Sequence, residues 1–221
     1  MQAVRAHIRD NDLKVGDALP GEGAFAAELG VSRAVIRETF GALAALKLLE
    51  VGNGRRARVG SLDGSVMAAS LDHGMSTAQI SAADVWEVRR TVEMRIAALA
   101  AEMRTESQAR DIQAHARAMR DAAGDMTEIT RHDIALHEAI AAATGNALFH
   151  QIVSSFAELM VLVVPRAWET RTTEGERESM LLIHMSLADA IAMRDPQRAV
   201  ATMEAHFDAS IGDRLRTATV I

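Results

Sequence analysis

Residues 19–43, LPGEGAFAAELGVSRAVIRETFGAL, decide how the first part of this 221-residue chain is read. EGAFAAEL (22–29) has the pattern of a short helix, and Gly30 closes it, a glycine just past a helix end being the usual stop. Ser32 stands where an N-cap is needed, and Ile36, Phe40 and Leu43 recur at helical spacing as the buried stripe of a second helix. Arg33 and Arg37 fall on a different face of it. Two helices joined by a glycine-closed turn, the second led by basic residues, suit a reader of the DNA major groove.

Upstream, residues 3–10 carry a short helical pattern that KVGDALPGE (14–22) interrupts with Gly and Pro. Downstream, LLEVGNGRRARVG (48–60) sets Asn53-Gly54 between two short apolar-containing segments, the strongest local signal for a two-stranded hairpin. Three short helices and a basic hairpin predict a winged helix-turn-helix over residues 1–60. GSLDGS (60–65), small and polar, reads as a linker.

From residue 66 the pattern is helical without strand alternation. Ser81 with Asp84 and Asp125 with Glu128 read as capping boxes, Asn146 follows Gly145 at a helix-to-helix turn, and Asp195-Pro196 opens the last helix. Pro165 is expected to end the helix that begins near Asn146. The fold class is therefore mainly α, a winged helix-turn-helix followed by an antiparallel bundle of six or seven helices over residues 66–218.

Charge supports the division. The chain carries a net −6, yet residues 1–60 hold nine Lys/Arg against seven Asp/Glu, leaving 15 against 23 for the rest. A mildly basic first domain and an acidic second imply different partners. The absence of cysteine excludes disulfides and thiolate metal ligands, so any metal here needs nitrogen and oxygen donors. MQAVRAHIRD lacks the apolar core of a signal peptide, and the longest strongly apolar run, LMVLVV (159–164), is too short to span a bilayer. A cytoplasmic protein with no membrane partner is expected.

DIALHEAI (133–140) places Asp133 and His137 four residues apart, so their side chains share a helix face. That is either a surface ion pair or half a metal site. His184 in MLLIHMSLADAI and His206 in AVATMEAHFDAS each sit on an apolar stripe and point into the bundle, where an imidazole needs a hydrogen-bond partner or a metal. In DVWEVRRTVEMRIAAL (84–99), Arg89 shares a face with Val85, Val92, Ile96 and Leu99. Two readings stand for it: an ion pair with Glu93 one turn on, or a clamp for a carboxylate. His7, His73, His115, His132 and His150 fit neither pattern.

Leu19-Pro20, Glu22, Leu29-Gly30-Val31-Ser32-Arg33 and Arg37-Glu38 resemble the DNA-binding domain of GntR-family bacterial transcription regulators. The resemblance implies that Ser32, Arg33 and Arg37, with Arg55, Arg56 and Arg58 of the wing, contact double-stranded operator DNA. The chain departs from that family at Gly21 and Gly23, where Ser and Arg are usual, and in the run of wing arginines, which could offset the lost basic contact through phosphates. Asp133-x3-His137, Gly145-Asn146, His184 ahead of Ala190-Ile191 and Asp195, and His206 similarly resemble the metal-containing FadR-type branch (FCD domain). That likeness implies a divalent ion held by Asp133, His137, His184 and His206, zinc first, with nickel, manganese or iron as alternatives. It also implies a small carboxylate effector, with Arg89 and Asn146 as candidate contacts, and a homodimer. The expected function is a ligand-responsive repressor and not an enzyme. A metal-responsive regulator and a metal-dependent hydrolase are the rival readings.

Overall fold

The structure, a computed structural model, describes residues 1–52, 54–122 and 124–210. It divides into two compact units, Met1–Val66 and Met67–Ile221.

The first unit contains α1 (Gln2–Asp10), α2 (Glu22–Leu29), α3 (Arg33–Ala45), β1 (Leu49–Glu50) and β2 (Arg58–Val59). Gly30 ends α2 in the left-handed region at φ 64°, and the Ser32 hydroxyl accepts the Val35 N–H at 3.3 Å to cap α3. The turn between the two helices is thus fixed by two adjacent local rules. Ile36, Phe40 and Leu43 are buried against Val4, Leu19 and Phe25, with the Phe25 and Phe40 rings edge-on at 5.9 Å. β1 and β2 pair antiparallel, Leu49 opposite Val59 and Glu50 opposite Arg58, and Ala18 bridges to Arg58.

β1 and β2 form the expected two-stranded hairpin of the wing. Asn53 lies outside the described residues, and the strands are separated by residues 51–57. The Arg55 N–H closes a local turn on the Gly52 carbonyl at 3.2 Å, while the buried Ala57 gives its carbonyl to Leu19 N–H at 2.8 Å. After the tip the chain therefore packs onto the unit's core before it pairs with β1. Gly60 then crosses so near the end of α3 that a Cβ would stand 2.4 Å from the Lys47 carbonyl oxygen.

The second part is helical: α4 (Ser65–Ser76), α5 (Ala82–Met103), α6 (Glu106–Asp121), α7 (Met126–Ala143), α8 (Ala147–Ser154), α9 (Ala157–Glu169), α10 (Glu174–Ala192) and α11 (Pro196–Asp208). These are eight helices among the described residues rather than six or seven; residues 211–218 of the expected bundle lie outside that set. α5 packs on α7 and α11, α6 on α7 and α10, and α10 on α11. Ile96, Ile112, Met119, Leu136, Ile140, Leu187 and Phe207 fill the space between them.

Reciprocal capping boxes start α5 at Ser81–Asp84, α6 at Thr105–Gln108 and α10 at Thr173–Glu176. Asp125 caps α7 alone, accepting from Thr127 and Glu128 N–H. Pro165 does not end a helix; it lies within α9, and the break comes earlier, at Ser155–Phe156, where α8 and α9 meet at 56°. The carbonyl that Pro165 leaves without a donor belongs to Val161, on an exposed turn where water can reach it, so the proline is tolerated. Among the described residues no single helix is long and apolar enough to cross a membrane.

Candidate functional site

Three histidines from three helices converge inside the second unit. His137 of α7, His184 of α10 and His206 of α11 are 3%, 2% and 6% exposed, and one nitrogen from each lies within 4.8 Å of the others. Their ring centroids are 4.6 to 6.4 Å apart. Asp133, one turn before His137, brings its Oδ1 to 3.1 Å from His184 Nε2.

The outward nitrogens are tied down. His184 donates from Nδ1 to the Met180 carbonyl at 2.9 Å, and His137 Nδ1 bonds the Glu93 carboxylate. Glu93 also accepts from Arg89 Nε at 2.7 Å, so Arg89, Glu93 and His137 form a buried chain. The inward nitrogens have no such partner: His137 Nε2, His184 Nε2 and His206 Nδ1 are all buried without a hydrogen bond. His184 Nε2 and Asp133 are close but misaligned for a bond, as two groups aimed at a common point would be. Buried polar atoms left unpaired cost on the order of 1–3 kcal/mol each, so three in one spot call for a shared partner. By donor type, imidazole nitrogens and a carboxylate oxygen, with no sulfur, fit a divalent ion of the zinc type.

Burial and neighbouring charges set the protonation of these groups. Burial pushes the Asp133 carboxyl up, but the adjacent His184 and the charges of His137 and Arg89 outweigh it and hold the group at about 2. Glu93 is likewise raised by burial and lowered further by Arg89 and His137, to about 2. Burial lowers His137, yet the Glu93 charge and hydrogen bond carry it above the usual imidazole value. His206 is pushed well below that value by burial, then by His184 and His137, and so offers a lone pair at neutral pH.

Trp86, Met119, Ile129, Met160 and Trp168 wall a cavity beside the histidines that also touches Arg89 and Arg171. Its volume is about 30 Å³, room for one or two waters. Of the two readings of Arg89, the geometry realises the ion pair: it is 3% exposed and held by Glu93, with the Trp86, Phe156 and Phe207 rings within 5.9 Å. Asn146 lies apart from the histidines' cavity. It is exposed, caps α8 by accepting Leu148 N–H at 3.0 Å, and is not among the cavity residues, because the chain needs it to start that helix. Arg171 was missed by sequence reasoning; it lies in TRTT (170–173), the short connection from α9 to α10, which has no periodicity to signal an inward side chain.

In the first unit Arg33, Arg37, Arg55 and Arg56 are exposed. Arg33 at the start of α3 and Arg55 and Arg56 of the wing line one groove with Gly21, Glu22 and Gly52. Gly23 leaves α2 bare under Arg33, whose Nε is 3.7 Å from where a Cβ would stand. Arg58 is committed in part, donating to the Gly16 carbonyl at 2.6 Å, and Ser32 is the cap of α3.

A winged helix-turn-helix with an exposed basic leading edge, joined to a helical domain with a buried donor cluster, defines a two-domain transcription regulator. Residues 1–59 match the family of bacterial regulatory proteins named gntR, and residues 84–209 match the FCD domain. The chain belongs to the GntR family and carries an FCD domain, as in its FadR-type subfamily. It is 32% identical over 190 residues to the galactonate operon transcriptional repressor of Escherichia coli, covering 83% of this chain and 81% of that one. It is 28% identical over 204 residues to the HTH-type transcriptional regulator LutR of Bacillus subtilis, covering 90% and 92%. A solved structure of a Streptococcus agalactiae GntR protein superposes with a TM-score of 0.68 at 23% identity, covering 98% and 97%, and shares the fold. The curated relatives are transcription regulators, and this chain is one rather than an enzyme.

Glu93→Gln should destabilise the second unit by about 3–5 kcal/mol, because it strands the buried Arg89 charge. Since the Glu93 carboxyl is lowered from 4.5 to about 2, its contribution is fully present above pH 4.5 and lost as pH falls toward 2. Denaturant unfolding from pH 7 down to pH 3 should show the gap between wild type and variant narrowing; a constant gap would contradict the ion-pair assignment.

Proposed function

We propose that this regulator holds one divalent cation on Asp133, His137, His184 and His206 and senses a small organic or sugar acid there, which alters its affinity for operator DNA. The observation that carries the reading is the convergence of three unpaired buried imidazole nitrogens with a carboxylate. A cation bound there, zinc first or else nickel, manganese or iron, would supply positive charge and an open position for a ligand oxygen. The chain's own residues do the rest. Glu93 orients His137, and the Met180 carbonyl orients His184. A relative at 32% identity is named for the operon of galactonate, a sugar acid, which favours an acid of that class.

The small cavity favours a second reading, in which the metal itself is the signal. The two differ in whether any acid changes operator affinity. An acid acts only through its different affinities for the DNA-competent and incompetent arrangements, typically a coupling of about 1–3 kcal/mol, and operator must weaken acid binding by the same factor. Calorimetric titration of acids with and without operator decides this: equal affinities exclude release by acid, and metal-dependent operator binding without an acid response establishes the second reading.

At the DNA, Arg33 and Arg37 lead α3 into the major groove, Ser32 sets its start, and Arg55, Arg56 and Arg58 of the wing contact phosphates. Two copies of the chain on a pseudo-palindromic operator suit this mode of reading.

Two outcomes follow from these assignments. Arg37→Ala should weaken operator binding by about 1–3 kcal/mol in a sequence-dependent way, whereas Arg56→Ala should weaken all sequences alike and lower the salt dependence; unchanged operator affinity in the Arg37 variant excludes α3 as the reader. Replacing His184 and His206 together by Ala should leave the purified protein free of metal by elemental analysis, and stoichiometric metal in that variant would refute the ligand set.

A further inference from the structure

Arg89 faces the inner cavity with its charge answered by Glu93. Arg171 does not share that arrangement. It is 8% exposed, and its guanidinium donates only to backbone carbonyls, from Nη1 to Ala167 at 2.7 Å and from Nη2 to Ala209 at 3.3 Å. Among the described residues no carboxylate stands within ion-pair distance of it. The guanidinium also lies over the Trp168 ring, 5.5 Å from its centroid. Arginine is seldom buried without a directly paired anion; Asp133 and Glu176 act on this one only from beyond ion-pair distance, and the two carbonyls take two of its five N–H donors.

Its position is as informative as its charge. Arg171, Met180 and Ser210 line both the inner cavity, which reaches Asp133, His184 and His206, and an outer cleft of about 550 Å³. The cleft adds Ser179, Glu176 and the hydroxyl oxygens of Thr170 and Thr173, whose own protons go to the Ala167 carbonyl and to Glu176, so that these oxygens act toward a ligand as acceptors. Going inward, a ligand meets an acid and hydroxyls first and a cation last. That order repels a carboxylate from the outer cleft and draws it to Arg171.

We propose that Arg171 receives the single carboxylate of a polyhydroxy acid, whose uncharged hydroxylated chain lies outward in the cleft beside Glu176. The inference deepens the acid-sensing reading and rests on it. A guanidinium matches a carboxylate with two parallel bonds, and the hydroxyls of the cleft match a polyol. The same ordering selects against dicarboxylates, whose second charge would face Glu176. Because the guanidinium rests over Trp168 and bonds two carbonyls, turning to face a carboxylate in the cleft lifts it from the ring. Indole fluorescence should report that movement.

The test uses the full chain loaded with zinc and three matched probes: D-galactonate, its dicarboxylate counterpart galactarate, and neutral galactitol. Calorimetry and tryptophan fluorescence should show galactonate binding at least about tenfold tighter than galactarate, and no binding of galactitol. Arg171→Gln should weaken galactonate at least about tenfold with zinc content unchanged, Arg171→Lys should retain part of the affinity, and Trp168→Phe should remove the fluorescence change. Glu176→Gln, which preserves the helix cap, should raise galactarate affinity. No galactonate binding to wild type, equal affinity for the two acids, or an unchanged affinity in both folded Arg171 variants would overturn the assignment. Failure of the metal reading is separable: wild type that binds no zinc, yet binds galactonate with the same dependence on Arg171, would refute the metal centre and uphold Arg171.

Discussion

Glu93 is the side chain on which the second unit depends. It sits 1% exposed in the middle of α5 and accepts from two side chains at once, Arg89 on its own helix and His137 Nδ1 on α7. An uncompensated charge in that position is expensive, so α5 and α7 can pack closely only in the register that closes this chain. The same bond occupies His137 Nδ1 and turns Nε2 toward His184 and His206. One carboxylate therefore fixes both a helix contact and the direction of a buried imidazole nitrogen. Deeper in, the site is held open at a cost: three imidazoles face one another, and burial together with His184 and His137 drives His206 toward its neutral form. A hydrophobic trio would pack the same space more stably, which is why the cluster reads as functional rather than structural.

The two halves were legible to different degrees. The first unit is written in local rules: Gly30 for the left-handed turn, Ser32 for the cap, and a three-residue stripe for the core, all within one short stretch. The wing was less so, because the length of its connection is set by Ala57 packing against Leu19, a contact across the unit that no neighbouring residue announces. The helix count failed at residues 147–169 for a related reason. Proline looked like the stop, yet the carbonyl it leaves without a donor belongs to the exposed Val161, while the break falls at Ser155–Phe156, which carries no glycine or proline.

At the site, helical periodicity placed His184 and His206 on apolar stripes, and spacing put Asp133 with His137. Those signals name inward-facing residues but not which of their atoms meet. Arg89 could be read as clamp or ion pair, and only the approach of α7 decides for the ion pair by bringing His137 to the far side of Glu93. Asn146 illustrates the opposite case, since a residue in a suggestive Gly-Asn pair is used up as a helix cap. Arg171 carried no signal at all; its direction is imposed by the carbonyls of Ala167 and Ala209.

The most direct test of the account is X-ray absorption at the metal edge on the full-length protein as purified. Three imidazoles and one carboxylate around a single divalent ion predict a first coordination sphere of nitrogen and oxygen at about 2.0–2.2 Å, with the outer-shell scattering of three imidazole rings. A protein without stoichiometric metal, or a metal surrounded by fewer than three imidazoles, would contradict it.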